Sequence, residues 1–384
     1  MYAPDVQWWP PHPGTRPQLS LPTAQQLYDI PFHFASYRPE EIGCVSRIAS
    51  RSYPNDDRNK RFLRTDVRWL SDVNFDLLWG YPERYIRAST KRSERAIHHI
   101  LTWWLEFGWR QQADPRYGTL PPMRPLNFDF VVRRGHLAKV LVTPHIRYGW
   151  KLAVTLFRGT YFLLEVTDDE DFTEAGDRIN YMGHKFEQYM TSATPGQAPN
   201  PSDVLDMNEA FYSLVTASLK SHSLLLCAEV DSEDPTARHL AAPTRYVELK
   251  TTPMQGEAGK VSSVKKLRWW AQSFLGGVPR ILVGFKNDEQ TVVKCKMFDV
   301  TPHGLLQAAP PAREMPDFWK PAVCMNFLAA FLSFVKEVVV EDNYALVHVF
   351  SWNPHEDVHY SVKRGPEHCF LLPQYVQCVM TQYR

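Results

Sequence analysis

Residues 224–250 read LLLCAEVDSEDPTARHLAAPTRYVELK. An apolar run ends in Glu-x-Asp at Glu229 and Asp231, a loop follows, and a second apolar run ends in Glu-x-Lys at Glu248 and Lys250. Side chains two apart on a strand point to the same face. Glu229 and Asp231 therefore look one way, and so do Glu248 and Lys250. If the two strands are neighbours, three carboxylates and one ammonium crowd a single patch. Unpaired charge is costly to bury at strand positions. A hard divalent cation, which prefers oxygen ligands, is the natural compensator.

The flanking chain supplies further pieces. Residues 172–192 (FTEAGDRINYMGHKFEQYMTS) read as a helix, with Phe172, Ala175, Ile179, Met182, Phe186 and Tyr189 at three-to-four spacing. Glu187 follows Phe186 and points along the edge of that apolar face. Residues 202–220 are read as a second helix, after a loop at 193–201. Residues 260–275 (KVSSVKKLRWWAQSFL) form another, with Trp269 and Gln272 on one face and Lys265 and Arg268 nearby. Strand character follows at 278–285 and 291–300. Residues 315–340 are mostly helical, and 344–350 form a late strand.

Upstream, residues 127–165 contain four runs, NFDFVVRR, LAKVLVTP, KLAVTLFR and TYFLLEV, read as an antiparallel meander. Residues 168–171 are an acidic turn. Residues 93–110 have helical periodicity; His98 and His99 are adjacent, share no helical face, and are surface or core histidines rather than a metal pair. Residues 19–53 read as loops and short strands. Residues 1–18, rich in Pro and Trp, form an extended arm. The expected fold is α/β, in the α+β sense: one domain over 19–384, a mixed sheet wrapped by helices.

Composition narrows the class. Of 384 residues 44% are apolar, enough for a core, and 13% are aromatic. Formal net charge is +1, so the whole molecule carries no nucleic-acid footprint and any anion site is local. One bias stands out: residues 45–100 hold twelve Lys/Arg against seven Asp/Glu. A solvated surface accounts for it equally well. The six cysteines are scattered without Cys-x-x-Cys, which excludes a zinc knuckle or disulfide scaffold and fits a reducing compartment. No secretory signal pattern opens the chain. No apolar run reaches the ~18 residues of a bilayer span, so no membrane association is expected.

Glu187, Glu229, Asp231, Glu248 and Lys250 together match a recurring nuclease arrangement, carboxylates around one or two Mg²⁺ ions with a lysine beside the phosphate. Singly, each pair reads more readily as a surface turn or an exposed strand face; only together do they match that arrangement.

Five segments carry a family resemblance: RRGHL (133–137), GHKFE (183–187), AEVDSED (228–234), YVELKT (246–251) and WWAQSFLGGVPRILVGF (269–285). In that order they resemble the DXO/Rai-type RNA 5′-end decapping nucleases, a fungal Rai-type member being the expected kind. The resemblance runs from about residue 19 to the C-terminus. It implies a PD-(D/E)xK-like nuclease core of two packed mixed sheets flanked by helices, with a deep pocket between them. It implies that Glu187, Glu229, Asp231 and Glu248 bind metal, with the Leu249 carbonyl completing a site. Lys250 would contact the scissile phosphate and the attacking water, Gln272 the RNA, and Arg134 the 5′-phosphate or cap groups. Two positions depart from the pattern: Arg133 replaces an expected aromatic and His184 a frequent tyrosine. Neither is expected to touch a metal ligand.

The implied activity is metal-dependent hydrolysis at RNA 5′ ends. It covers removal of incomplete, unmethylated or NAD caps, pyrophosphate release from 5′-triphosphate RNA, and 5′–3′ exoribonuclease action. The implied cofactor is Mg²⁺, with Mn²⁺ an alternative, as two ions. The alternative role is that of an accessory protein that binds and stabilises a nuclear 5′–3′ exoribonuclease, as fungal relatives do. The N-terminal arm or the 193–201 loop would then be the docking surface. A DNA nuclease with the same core is the third reading. Nuclear residence, with the cytoplasm possible, is expected from relatives alone.

Overall fold

The computed structural model describes residues 21–49, 52–66, 72–88, 97–107, 126–166, 173–256, 260–307, 319–354 and 356–382. The expected arm at 1–18 and the acidic turn at 168–171 lie outside these residues.

Two large mixed sheets organise the molecule. The first runs Glu40–Arg47, Ala210–Leu219, His222–Glu229, Phe130–Arg133, Thr160–Glu165, Trp150–Phe157, Leu346–Trp352, His359–Arg364. The second runs Gly304–Gln307, Thr291–Thr301, Arg280–Lys286, Tyr246–Pro253, Ser232–Glu233, Phe62–Leu63, Thr191–Ser192. The expectation of two packed mixed sheets with flanking helices is met.

Period-two alternation sorts the core. In the first sheet Phe130, Val132, Leu224 and Leu226 face one side, toward helices Ser263–Leu275 and Pro321–Val338 and toward Ile281, Val283 and Phe285 of the second sheet. Val131, Leu225 and Cys227 face the other, under helices His98–Glu106 and Pro373–Gln382. Val247, Leu249 and Leu282 of the second sheet bury Met182, Phe186 and Met190 of helix Glu174–Met190. Gly284 makes that last packing possible, because a Cβ there would meet the Phe186 ring at 2.6 Å.

Several readings of the sequence are corrected. Residues 137–141 of the LAKVLVTP run belong to a helix, Arg134–Leu141; a short apolar run bounded by turns fits either element, and burial of Leu137, Ala138, Val140 and Leu141 settles it. The meander is not antiparallel throughout: Phe130–Arg133 pairs parallel with both of its neighbours. Residues 210–219 (AFYSLVTASL) are a ten-residue strand, not a helix, in keeping with their aromatic and β-branched content. Within the stretch read as loops and short strands, Glu40–Arg47 is a strand of eight residues. Ile179, assigned to the buried helix face, is 64% exposed, and Tyr181 occupies the core instead. Helix Pro321–Val338 does have the length and composition of a membrane span, but 67% of it is buried inside the fold, as in a core helix.

Candidate active site

The strands bearing the two acidic pairs are not neighbours. Glu229 ends a strand of the first sheet, while Glu248 and Lys250 lie in the second. The chain crosses between the sheets at residues 230–231. Val230 still donates to the Phe211 carbonyl of the first sheet at 3.0 Å. Two residues on, Ser232 and Glu233 pair with Val247 and Tyr246 of the second. The crossover is pinned from both sides: the Leu249 N–H donates to Asp231 Oδ2 at 2.7 Å, and the Ser232 hydroxyl to the Val247 carbonyl at 2.7 Å. Tertiary crossing, rather than strand pairing, assembles the cluster.

Glu248 is its electrostatic centre and is 2% exposed. Arg134, at the start of helix Arg134–Leu141, donates to Glu248 Oε2 at 2.9 Å and to Oε1 at 3.3 Å. Lys250 donates to Oε1 at 2.7 Å and stands 3.8 Å from Asp231. Burial alone would raise the Glu248 carboxyl, but the Arg134 and Lys250 cations hold it down to about 2. Asp231 goes the other way: burial, then repulsion from Glu248 and Glu187, pushes it well above the usual carboxylate range. Lys250 stays charged, since Glu248 and Asp231 outweigh its desolvation.

Glu187 comes from helix Glu174–Met190 and accepts from His184 Nδ1 at 3.0 Å. Burial would lower the His184 imidazole, yet Glu187 brings it up to about 9. Arg133 Nη2 lies 3.9 Å from Glu229 Oε2. Both departures from the family pattern therefore do touch expected metal ligands, contrary to the sequence reading.

Among the described residues no three His, Cys, Asp or Glu side chains are gathered into a ready-made metal cage. The donor chemistry nevertheless fits a hard divalent cation. The donors are carboxylate oxygens, and Asp231 is buried beside Glu248 and Glu187, so that burial first and these two carboxylates second push its carboxyl up. Glu187, Glu229, Asp231 and Glu248 are the residues that would hold it.

Two cavities open on the cluster. One, about 380 Å³, is acidic, with Glu187, Glu229, Asp231, Asp203, Asp206 and Glu209 against Arg61 and His184. The 193–201 loop, a candidate docking surface by sequence, contributes Ala193, Gln197, Ala198 and Asn200 to this wall. The other, about 490 Å³, is basic, with Arg133, Arg134, Lys139 and Arg268 beside Gln272. Glu229 lines both. Gln272 and Arg134 thus share a wall. Gly276 lets the Arg134 stem cross to Glu248, since a Cβ there would meet Arg134 Cδ at 3.0 Å. Sequence reasoning passed over the acidic rim at Asp203, Asp206 and Glu209. Polar loop residues carry no spacing signal for a cavity formed by distant elements.

A family model described as RAI1 like PD-(D/E)XK nuclease matches residues 37–376. The Decapping and exoribonuclease protein of Bos taurus is 41% identical over 374 residues, covering 95% of this chain and 90% of that protein. The Decapping nuclease RAI1 of Neurospora crassa is 26% identical over 326 residues, covering 79% and 74%. In sequence the chain is thus nearer the bovine than this fungal relative. The fold is similar to Scheffersomyces stipitis Rai1 in complex with (3′-NADP)⁺ and calcium ion (TM-score 0.70, 18% identity, 91% of this chain and 97% of that one). It is also similar to Candida albicans Rai1 in complex with pU5–Mn²⁺ (TM-score 0.69, 17% identity, 90% and 95%).

Proposed function

Because the chain belongs to the RAI1-like PD-(D/E)XK nuclease family, we propose that it is a decapping nuclease acting at RNA 5′ ends. It removes incomplete, unmethylated or NAD caps, releases pyrophosphate from 5′-triphosphate RNA, and acts as a 5′–3′ exoribonuclease. The observation that carries the reading is the buried Arg134–Glu248–Lys250–Asp231 cluster at the meeting of an acidic and a basic cavity. Relatives in complex with pU5, with (3′-NADP)⁺ and with Ca²⁺ or Mn²⁺ support RNA 5′ ends as substrate and a divalent cation as cofactor.

The residues divide the work. A divalent cation, when bound, neutralises phosphate charge and supplies an activated water. Lys250, held protonated by two carboxylates, donates to a non-bridging phosphate oxygen and stabilises the charge that grows there. Arg134, held by Glu248 through both terminal nitrogens, adds positive charge to the wall of the basic cavity where a second phosphate lies. Gln272, on the same wall, hydrogen-bonds the RNA beside it. Repulsion from the acidic rim keeps the polyanion on the basic side of the cleft.

Mg²⁺ is our choice of physiological ion, with Mn²⁺ able to replace it, because the donors are hard oxygens. Nuclear residence and attachment to a 5′–3′ exoribonuclease are carried as proposals from the family alone; cell fractionation and co-purification check them. The decisive experiment incubates the protein and Mg²⁺ with RNAs bearing triphosphate, unmethylated cap, methylated cap, NAD or monophosphate ends, alongside the Asp231→Ala/Glu248→Ala variant. Processing of some ends by the native protein and none by the variant supports the reading. Equal inertness sinks it.

A further inference from the structure

Four described aromatic side chains are at least 38% exposed: Tyr28, Trp79, Tyr148 and Tyr360. Three of them have a ring face covered. Lys320 sits over Tyr28 at 3.2 Å, Arg84 and Lys185 over Trp79 at 5.4 and 4.5 Å, and Phe350 and His348 stack on Tyr360. Tyr148, the most exposed at 65%, has no such neighbour among the described residues, and it stands in the wall of the basic cavity with Arg134 and Gln272.

The loop that presents it is anchored at both ends. Its N-terminal flank is the short helix Thr143–His145, and Trp150 Nε1 donates back to Thr143 Oγ1 at 2.9 Å. At the other end Gly149 lies so close to the Trp352 carbonyl and Asn353 that a Cβ would meet them at 2.7 Å. An anchored loop gives the ring little freedom to fold back onto apolar surface. Arg147, beside it, has no acidic partner among the described residues and lines an adjoining cavity of about 540 Å³. Ile146 is common to both cavities. A bare aromatic face, a free guanidinium and a shared wall are the parts of a nucleotide platform, where a base stacks and its phosphate pairs.

We infer that Tyr148 stacks a nucleoside of the bound substrate and that Arg147 pairs with its phosphate, extending recognition beyond the metal cluster. The inference rests on the proposed RNA 5′-end activity. The nucleoside belongs either to the RNA body or to the 5′-terminal group, and the two are separable by ligand.

Binding is measured by calorimetry with Mg²⁺ in a Lys250→Ala background that slows turnover. The ligands are a 5′-monophosphorylated di-uridylate, an octa-uridylate and NAD⁺. Tyr148→Ala is expected to weaken binding roughly five- to hundredfold, as for loss of one base stack, while Tyr148→Phe binds like the reference. Weakening confined to the octamer assigns the platform to the RNA body, and weakening of NAD⁺ to the 5′-terminal nucleoside. Arg147→Ala is expected to reduce the slope of log affinity against log salt by about 0.7, one single-strand phosphate contact. Equal affinities for Tyr148→Ala and the reference with all three ligands overturn the inference. If the reference binds none of them, the proposed function falls as well.

Discussion

Arg134 and Glu248 stand 114 positions apart in sequence and meet through both carboxylate oxygens, at 2.9 and 3.3 Å, with each side chain almost fully buried. This pair ties the first helix of the basic cavity to the central strand of the second sheet. It also sets the charge state of the cluster, because Glu248 stays ionised only through its cations.

Breaking that pair should destabilise the fold. Arg134→Ala leaves a buried carboxylate with one cation fewer, and about 3–5 kcal/mol is the range for such a loss. Urea unfolding followed by circular dichroism should show it. Arg134→Ala/Glu248→Ala, which removes both charges, should recover part of the loss. If the single and double variants unfold alike, the pair is not a coupled unit.

Lys250→Ala should separate chemistry from stability. The lysine is partly exposed and its partner Glu248 keeps Arg134. Turnover of the best RNA substrate is expected to fall roughly 10²–10³-fold, as for other lost transition-state donors, while the melting temperature moves little. An active Lys250→Ala protein would remove Lys250 from the mechanism.

Chelation by EDTA should abolish hydrolysis. A readout independent of turnover is thermal stability: at a hundred times its dissociation constant the cation should add about 2.7 kcal/mol. Asp231→Asn/Glu248→Gln should lose this metal-dependent gain. A gain that persists in the variant would locate the ion elsewhere.

Two glycines predict opposite outcomes. Gly284→Ala forces a Cβ against Phe186 at 2.6 Å, and overpacking of this kind costs about 1–3 kcal/mol. It should also lower activity, because Glu187 adjoins Phe186 on the displaced helix. Gly183→Ala, with nothing within 4 Å on the same helix, should stabilise by about 0.5–1 kcal/mol. Melting curves of the two variants decide it.

Acid should destabilise the protein through buried histidines. His348 is 7% exposed, neither ring nitrogen has a hydrogen-bond partner, and burial with Arg364 nearby pushes it down to about 4. The unfolded chain protonates near 6.5, so it binds the proton first and stability falls between pH 6.5 and about 4. The contribution reaches about 3 kcal/mol at the acid end. His348→Phe should flatten the profile in that window, and urea titrations at pH 7, 6, 5 and 4.5 measure it.

Much of this was already written in the chain. The acidic pairs, the lysine two residues after Glu248 and the helix-borne Glu187 were visible as local patterns, because residue type and spacing along one element suffice to show them. The strands at 222–229 and 246–253, and the helices bearing Glu187 and Gln272, were legible for the same reason. Local pattern failed at residues 137–141 and 210–219, where short apolar runs suit helix and strand alike and burial against distant elements chose between them. It could not show that the two acidic strands belong to different sheets, or that a crossover at residues 230–231 brings them together. Nor could it pair Arg134 with Glu248, Arg133 with Glu229, or the bare face of Tyr148 with the basic cavity. Those relationships join residues far apart in sequence. They are set by how sheets and helices pack, and no spacing along the chain encodes them.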